Sequence, residues 1–162
     1  MKNITYILIG MVSLFSLAQV SELRTIQHDG NNRQFFLYVP ASYNQDNATP
    51  VMFNFHGGGG TASTHLNYTS DMRNLAESEN FILVYPQASP DPSSNVNSWI
   101  DKAGSNKNDI YFIEAIFNNL NSIYNIDDSR VYACGYSEGA IFTYELACCL
   151  LYTSDAADEG HC

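Results

Sequence analysis

Basic residues are scarce in this chain. Its 162 residues carry 7 Lys and Arg against 17 Asp and Glu, a formal net charge of −10. So negative a surface repels polyanions, which sets aside nucleic acids and anionic membranes as partners. Cysteine is sparse too: there are four, and no Cys/His spacing suits a metal ion. No glycine-rich dinucleotide fingerprint is present either, so neither a metal nor an organic cofactor is expected. Internal repeats and heptads are missing, which leaves a single domain as the natural reading of this length. The composition is otherwise that of a globular protein rich in Tyr and Phe.

The two ends stand apart from the rest. Lys2, the apolar stretch from Ile4 to Leu17, and the small residues Ser16 and Ala18 match a secretory signal peptide over residues 1–18, with cleavage before Gln19. The apolar run is too short for a comfortable membrane span. Export to an extracellular or periplasmic compartment is therefore expected, with no membrane attachment after cleavage. At the other end, Cys149 to Glu159 (C-L-L-Y-T-S-D-A-A-D-E) resembles the translation of a transposase-end sequencing adapter. Residues 149–162 are accordingly expected to be non-native, and the native stretch to be a fragment ending at Cys148. Ser154, Asp155, Asp158 and His161 are then excluded from any site, and only Cys134 and Cys148 remain as native thiols.

The chemistry centres on Gly135-Tyr136-Ser137-Glu138-Gly139. This G-x-S-x-G sits between an apolar run, Arg130 to Cys134, and a helical pattern from Ala140 to Cys148. At a strand-to-helix junction it reads as a nucleophile elbow. Ser137 is the candidate nucleophile. Gly135 and Gly139 flank it because a sharp turn leaves no room for a Cβ beside it. The backbone N–H of Glu138, at the start of the helix, faces the reacting carbonyl. Upstream, Val51 to Phe55 reads as a short buried strand running into His56-Gly57-Gly58-Gly59-Gly60. A glycine run at such a place lets backbone amides approach a ligand oxygen, so Gly57 and Gly58 are the candidate partners of Glu138 in an oxyanion hole. His56 is expected to hold the loop rather than to carry protons.

The remaining elements follow from periodicity. Strands are expected at 22–27 and 33–39 around a turn at Asp29-Gly30-Asn31-Asn32, at 81–85, and at 130–134. Helices are expected at 69–79, capped by Ser70 or Asp71, and from Asn108 or Asp109 to about Tyr124. Asp127-Asp128-Ser129 reads as a turn, and Cys134 as a core residue. A long polar loop, Gln87 to Gly104, carries the single tryptophan; Trp99 suits a substrate wall or a place packed under its own loop. Strands alternating with helices give an α/β fold with a mainly parallel sheet and helices on both faces. This is the N-terminal portion of the α/β-hydrolase plan, cut after the nucleophile helix.

From Arg33 to Cys148 the chain resembles the secreted polyhydroxybutyrate-depolymerase-like esterases, neighbours of the feruloyl and acetylxylan esterases. The matching stretches are R-Q-F-F-L-Y-V-P at 33–40, F-H-G-G at 55–58, L-A-E-S-E-N-F-I-L-V-Y-P at 75–86, N-D-I-Y-F-I-E-A-I at 108–116, and R-V-Y-A-C-G-Y-S-E-G-A at 130–140. The resemblance implies a secreted serine esterase acting on esters of plant polysaccharides or on polyesters, with Ser137 as nucleophile and amides of the Gly57 region and Glu138 as oxyanion donors. Two departures stand out. Glu138 places a carboxylate beside the nucleophile, and it is expected to point to solvent. The triad acid and base, which follow the nucleophile in this fold, have no counterpart: His28, His56 and His65 all precede Ser137. The fragment itself is expected to be inactive. A prolyl-oligopeptidase-like serine peptidase and a non-catalytic binding domain of the same fold are the alternatives.

Overall fold

The computed structural model describes residues 21–99 and 109–150. Residues 1–18 (expected to be a signal peptide), part of the long loop after Gln87, and nearly all of the stretch 149–162 lie outside the described residues. Five strands form one sheet: β1 (Glu22–His28), β2 (Asn31–Tyr38), β3 (Thr49–Phe55), β4 (Ile82–Pro86) and β5 (Ile126–Gly135). The helices are α1 (Ala62–Thr64), continued by a π-helical turn (His65–Thr69), then α2 (Arg73–Glu79), α3 (Asp109–Asn121) and α4 (Glu138–Leu150).

The spatial order is β1-β2-β4-β3-β5. β4, β3 and β5 run parallel, while β2 pairs antiparallel with both β1 and β4. The sheet is thus mixed, not mainly parallel. The cause is the hairpin: Asp29 (φ 48°) and Gly30 (φ 73°) form a two-residue turn with both φ values positive, the geometry that Asp-Gly favours between antiparallel strands.

Alternation along the strands builds two cores. Phe35, Leu37, Val51, Phe53, Phe55, Ile82 and Val84 face α3 and α4, where Phe112, Ile113, Ile116, Leu120, Phe142 and Leu146 complete the packing. Tyr38, Leu83 and Tyr85 face the other way, onto Ala62, Leu66 and Ala76. Helices therefore cover both faces, as buried parallel strands require.

Several boundaries differ from the sequence reading. The 69–79 helix is two pieces: the π-helical turn ends at Ser70 (φ −148°), and α2 begins at Arg73. Asp71 Oδ1 accepts from the Arg73 amide (3.0 Å), and α2 stops at left-handed Asn80 (φ 53°). α3 ends at Asn121, three residues short of Tyr124. Asp127–Ser129 lies within β5 rather than before it. There the pairing with β3 jumps from Thr49↔Ile126 to Val51↔Val131, and the Asp127 carboxylate takes the Ser129 amide and hydroxyl, so the turn chemistry survives as a bulge. Cys134 is half-buried rather than fully in the core, and both Cys134 and Cys148 are free thiols. Among the described residues no helix is long and apolar enough to cross a membrane.

Candidate active site

Three loops leave the C-terminal ends of β3, β4 and β5, the parallel strands, and so meet at one edge of the sheet. This is where open α/β sheets place ligands. The Phe55↔Gly135 pairing sets the glycine loop beside the G-x-S-x-G turn, and the Tyr136 amide extends the ladder by donating to Phe55 O (3.0 Å).

Ser137 has φ 52°, a left-handed conformation that costs a non-glycine residue energy and persists only where the surroundings enforce it. The flanking glycines do the enforcing. A Cβ on Gly135 would lie 2.4 Å from the Gly139 carbonyl carbon, and one on Gly139 would lie 2.4 Å from Phe55 O. No side chain fits either space. The chain then enters α4 at once, with the Gly139 amide donating to Tyr136 O and the Ala140 amide to Ser137 O (2.9 Å each). Ser137 is left exposed at the rim.

The glycine loop packs directly on this turn. A Cβ on Gly57 would sit 3.4 Å from Ser137 Cβ and 3.1 Å from the Tyr136 ring. Among the described residues no hydrogen bond joins the Gly57 or Gly58 amide to a protein acceptor. His56 is buried, and its ring is committed. The Ala88 amide donates to Nε2 (3.1 Å), which leaves the proton on Nδ1 to be donated to Gly57 O (2.8 Å). It braces the loop, as its place in the sequence suggests.

Of the two open placements for Trp99 the structure shows one, and the Glu138 side chain departs from expectation. Trp99 is 3% exposed. Its ring stacks on Phe142 (centroids 4.8 Å), meets Phe55 edge-on (5.3 Å), and donates from Nε1 to His56 O (2.7 Å). It is packed in the core under its own loop, its indole N–H paired as a buried tryptophan usually requires. The Glu138 carboxylate does not point to solvent. It turns across the cleft mouth, where Oε1 accepts from Ser98 Oγ (2.6 Å) and from the Trp99 amide. The sequence also hid the role of Asn97, which ties the loop after β4 to the glycine loop: Gly59 donates to Asn97 O (2.7 Å) and Asn97 Nδ2 to Gly60 O (2.8 Å). No local signal marks either contact, since the partners lie some forty residues apart.

Beside Ser137 opens a cavity of about 750 Å³, lined by Gly58, Gly59, Asp91, Asn97, Ser98 and Glu138 among others. Hydrogen bonds from Ser93 and Ser94 hold the Asp91 carboxyl down at about 2, so it is charged at neutral pH. A smaller cavity, about 400 Å³, lies by the β1–β2 hairpin and does not include Ser137. None of the three described histidines hydrogen-bonds Ser137. His65 instead meets Asn54 on the far face of the sheet (2.8 Å), and His28 lies against Phe112. Among the described residues no group of His, Cys, Asp and Glu is arranged to hold a metal ion.

The chain aligns at 80% of its length with the structure of a CE1 ferulic acid esterase from Anaeromyces mucronatus, with TM-score 0.60 and 19% identity over 53% of that chain. It adopts the α/β-hydrolase fold. No family model matches the sequence. Among curated proteins it is 29% identical over 121 residues to the bifunctional acetylxylan esterase/xylanase of Neocallimastix patriciarum, covering 73% of this chain and 16% of that one. It is 29% identical over 138 residues to poly(3-hydroxyalkanoate) depolymerase C of Paucimonas lemoignei, covering 83% and 32%. Feruloyl esterases are also among its homologues. The chain spans less than half the length of these relatives. The described residues include the G-x-S-x-G turn between β5 and α4 and the glycine loop after β3 that packs on it.

Proposed function

We propose that this chain carries the nucleophile half of a secreted serine esterase. The observation that bears the most weight is Ser137 at φ 52°, wedged between two glycines that admit no Cβ, with Gly57 so placed that a Cβ built on it would fall 3.4 Å from Ser137 Cβ. Such a geometry serves acyl transfer. Ser137 Oγ attacks an ester carbonyl and its proton passes to a histidine. The amides of Gly57 or Gly58 and Glu138 then hold the tetrahedral oxyanion, and water releases the acyl-enzyme. None of the three described histidines hydrogen-bonds Ser137, so this reading requires the histidine and its acid partner to come from outside the described residues. Without them the serine hydroxyl keeps its high pKa and attacks slowly.

For the substrate we favour an ester borne on a polysaccharide. The cavity beside Ser137 is lined by hydroxyl, amide and carboxylate groups (Asp91, Ser93, Asn97, Ser98), which suit a polyhydroxylated alcohol better than a polyester chain. Export rests on the signal-like residues 1–18.

The test is the product of the uninterrupted gene. A fluorophosphonate probe is expected to label Ser137 and to fail on Ser137→Ala. Acetylated xylan and methyl ferulate are expected to be turned over ahead of polyhydroxybutyrate. Absence of labelling in the full-length protein overturns the esterase reading; preference for the polyester overturns the substrate assignment alone.

A further inference from the structure

The residue after the nucleophile is ordinarily of interest for its amide. Here its side chain makes the longer reach. Glu138 Oε1 takes two donors from the loop after β4, the Ser98 hydroxyl at 2.6 Å and the Trp99 amide. Its other oxygen, Oε2, lies over the glycine loop, where a Cβ built on Gly58 would fall 2.1 Å from it. One carboxylate thus touches all three segments that frame the cleft: the elbow, the glycine loop and the loop after β4. Hydrogen bonds to an ionised acceptor are the stronger kind, and the two donors converge on a single oxygen.

We propose that the Glu138 side chain is a positioning residue, a latch that fastens Ser98 and Trp99 of the loop after β4 to the elbow and so fixes the mouth of the cleft. It does not touch the reacting atoms. The same contact explains Gly58: that position stays free of a Cβ because the carboxylate occupies the space, whereas Gly135 and Gly139 are bounded by backbone. As a further consequence, resting on the esterase reading, the latch holds a negative charge near the developing oxyanion, where it opposes catalysis unless its two donors draw that charge away.

Trp99 is the only tryptophan in the sequence, so its fluorescence reports on the loop directly and needs no enzymatic activity. In this 162-residue chain, Glu138→Ala is expected to shift Trp99 emission to the red and to raise its acrylamide quenching severalfold. Glu138→Gln, which keeps an acceptor oxygen at the same reach, is expected to preserve the wild-type spectrum. Gly58→Ala displaces only the flexible end of the carboxylate and is expected to reproduce the Glu138→Ala shift, while adding nothing in the Glu138→Ala background. Far-UV circular dichroism separates unlatching from misfolding. If Glu138→Ala does not fold, Gly58→Ala and Glu138→Gln still decide the matter. Unchanged emission in Gly58→Ala, or additive shifts in the double variant, overturns the latch. Fluorophosphonate labelling of the full-length protein reads the other claim: a latch without labelling there leaves the positioning intact and removes the esterase, and labelling without a latch does the reverse.

Discussion

The two faces of the sheet are built on different physics. On the α3/α4 face, Phe53, Phe55, Trp99 and Phe142 interlock with almost no polar atoms between them. On the α1/α2 face a chain of hydrogen bonds runs through the packing. His65 Nε2 meets Asn54 Oδ1 (2.8 Å), Asn54 Nδ2 donates to Ser70 Oγ (3.0 Å), and Tyr85 donates from its hydroxyl to Ser70 O (2.6 Å) while accepting from the Met72 amide (3.0 Å). The first face depends mainly on volume, although it also holds the buried Arg33–Asp109 ion pair beside Phe112. The second is sensitive to protons. The elbow stands on the first face, since Phe142 of α4 packs there, whereas the second face holds the short, irregular helices.

That contrast can be broken by experiment, and the largest effect belongs to the dry face. Phe142→Ala removes a ring packed on both Phe55 and Trp99, and is expected to lower unfolding free energy by about 3–5 kcal/mol, read by urea denaturation with Trp99 emission moving to the red. Its cost should be the same at pH 7 and pH 5.

The next effect is acid sensitivity on the other face. Burial holds the His65 ring at about 4, below its ordinary 6.5, with nearby His56 adding to the shift. The unfolded chain therefore binds a proton that the folded chain refuses. Stability is full above about 6.5, falls as pH drops toward 4, and levels below it, a loss on the order of 3 kcal/mol. Denaturation curves across this window are expected to flatten in His65→Leu relative to wild type. An unchanged slope would assign the acid loss to carboxylates instead.

Smaller still, Tyr85→Phe strips one hydroxyl from two partners and is expected to cost about 1–3 kcal/mol. The loss should carry no pH dependence, because burial already pushes the phenol up to about 12. The smallest effect is expected outside both cores. Asp71→Ala breaks an exposed pair with Arg73 (2.7 Å) and should change stability by less than about 1 kcal/mol.

Legibility in the sequence followed the range of the interaction. The Asp29–Gly30 turn, the G-x-S-x-G turn and the glycine run after β3 are specified by adjacent residues, and each was read from them. Contacts between distant segments were not. Arg33 and Asp109 form a buried ion pair between β2 and α3, with the Arg33 guanidinium over the Phe112 ring (3.9 Å); nothing near either residue announces the other. Trp99 sits in a polar stretch whose composition suggests exposure, yet its ring is claimed by Phe55 and Phe142. Glu138 was read as solvent-facing because the donors that capture it arrive from Ser98 and Trp99. Strand direction misled for a related reason: apolar runs reveal burial on both faces, not the orientation of the neighbour.

The bulge where Asp127–Ser129 meets Thr49–Val51 gives the site a kind of insulation. Below it, β3 and β5 keep strict step as far as Phe55 and Gly135. A slip of one residue in that stretch would carry Ser137 roughly 3.3 Å along the strand away from Gly57, enough to part the hydroxyl from the amides opposite. Because the irregularity lies ahead of the matched stretch, an added or lost residue in the connection from α3 can be taken up there before it reaches the chemistry. Evolution is thereby free to edit that connection while the alignment of serine and glycine stays in frame.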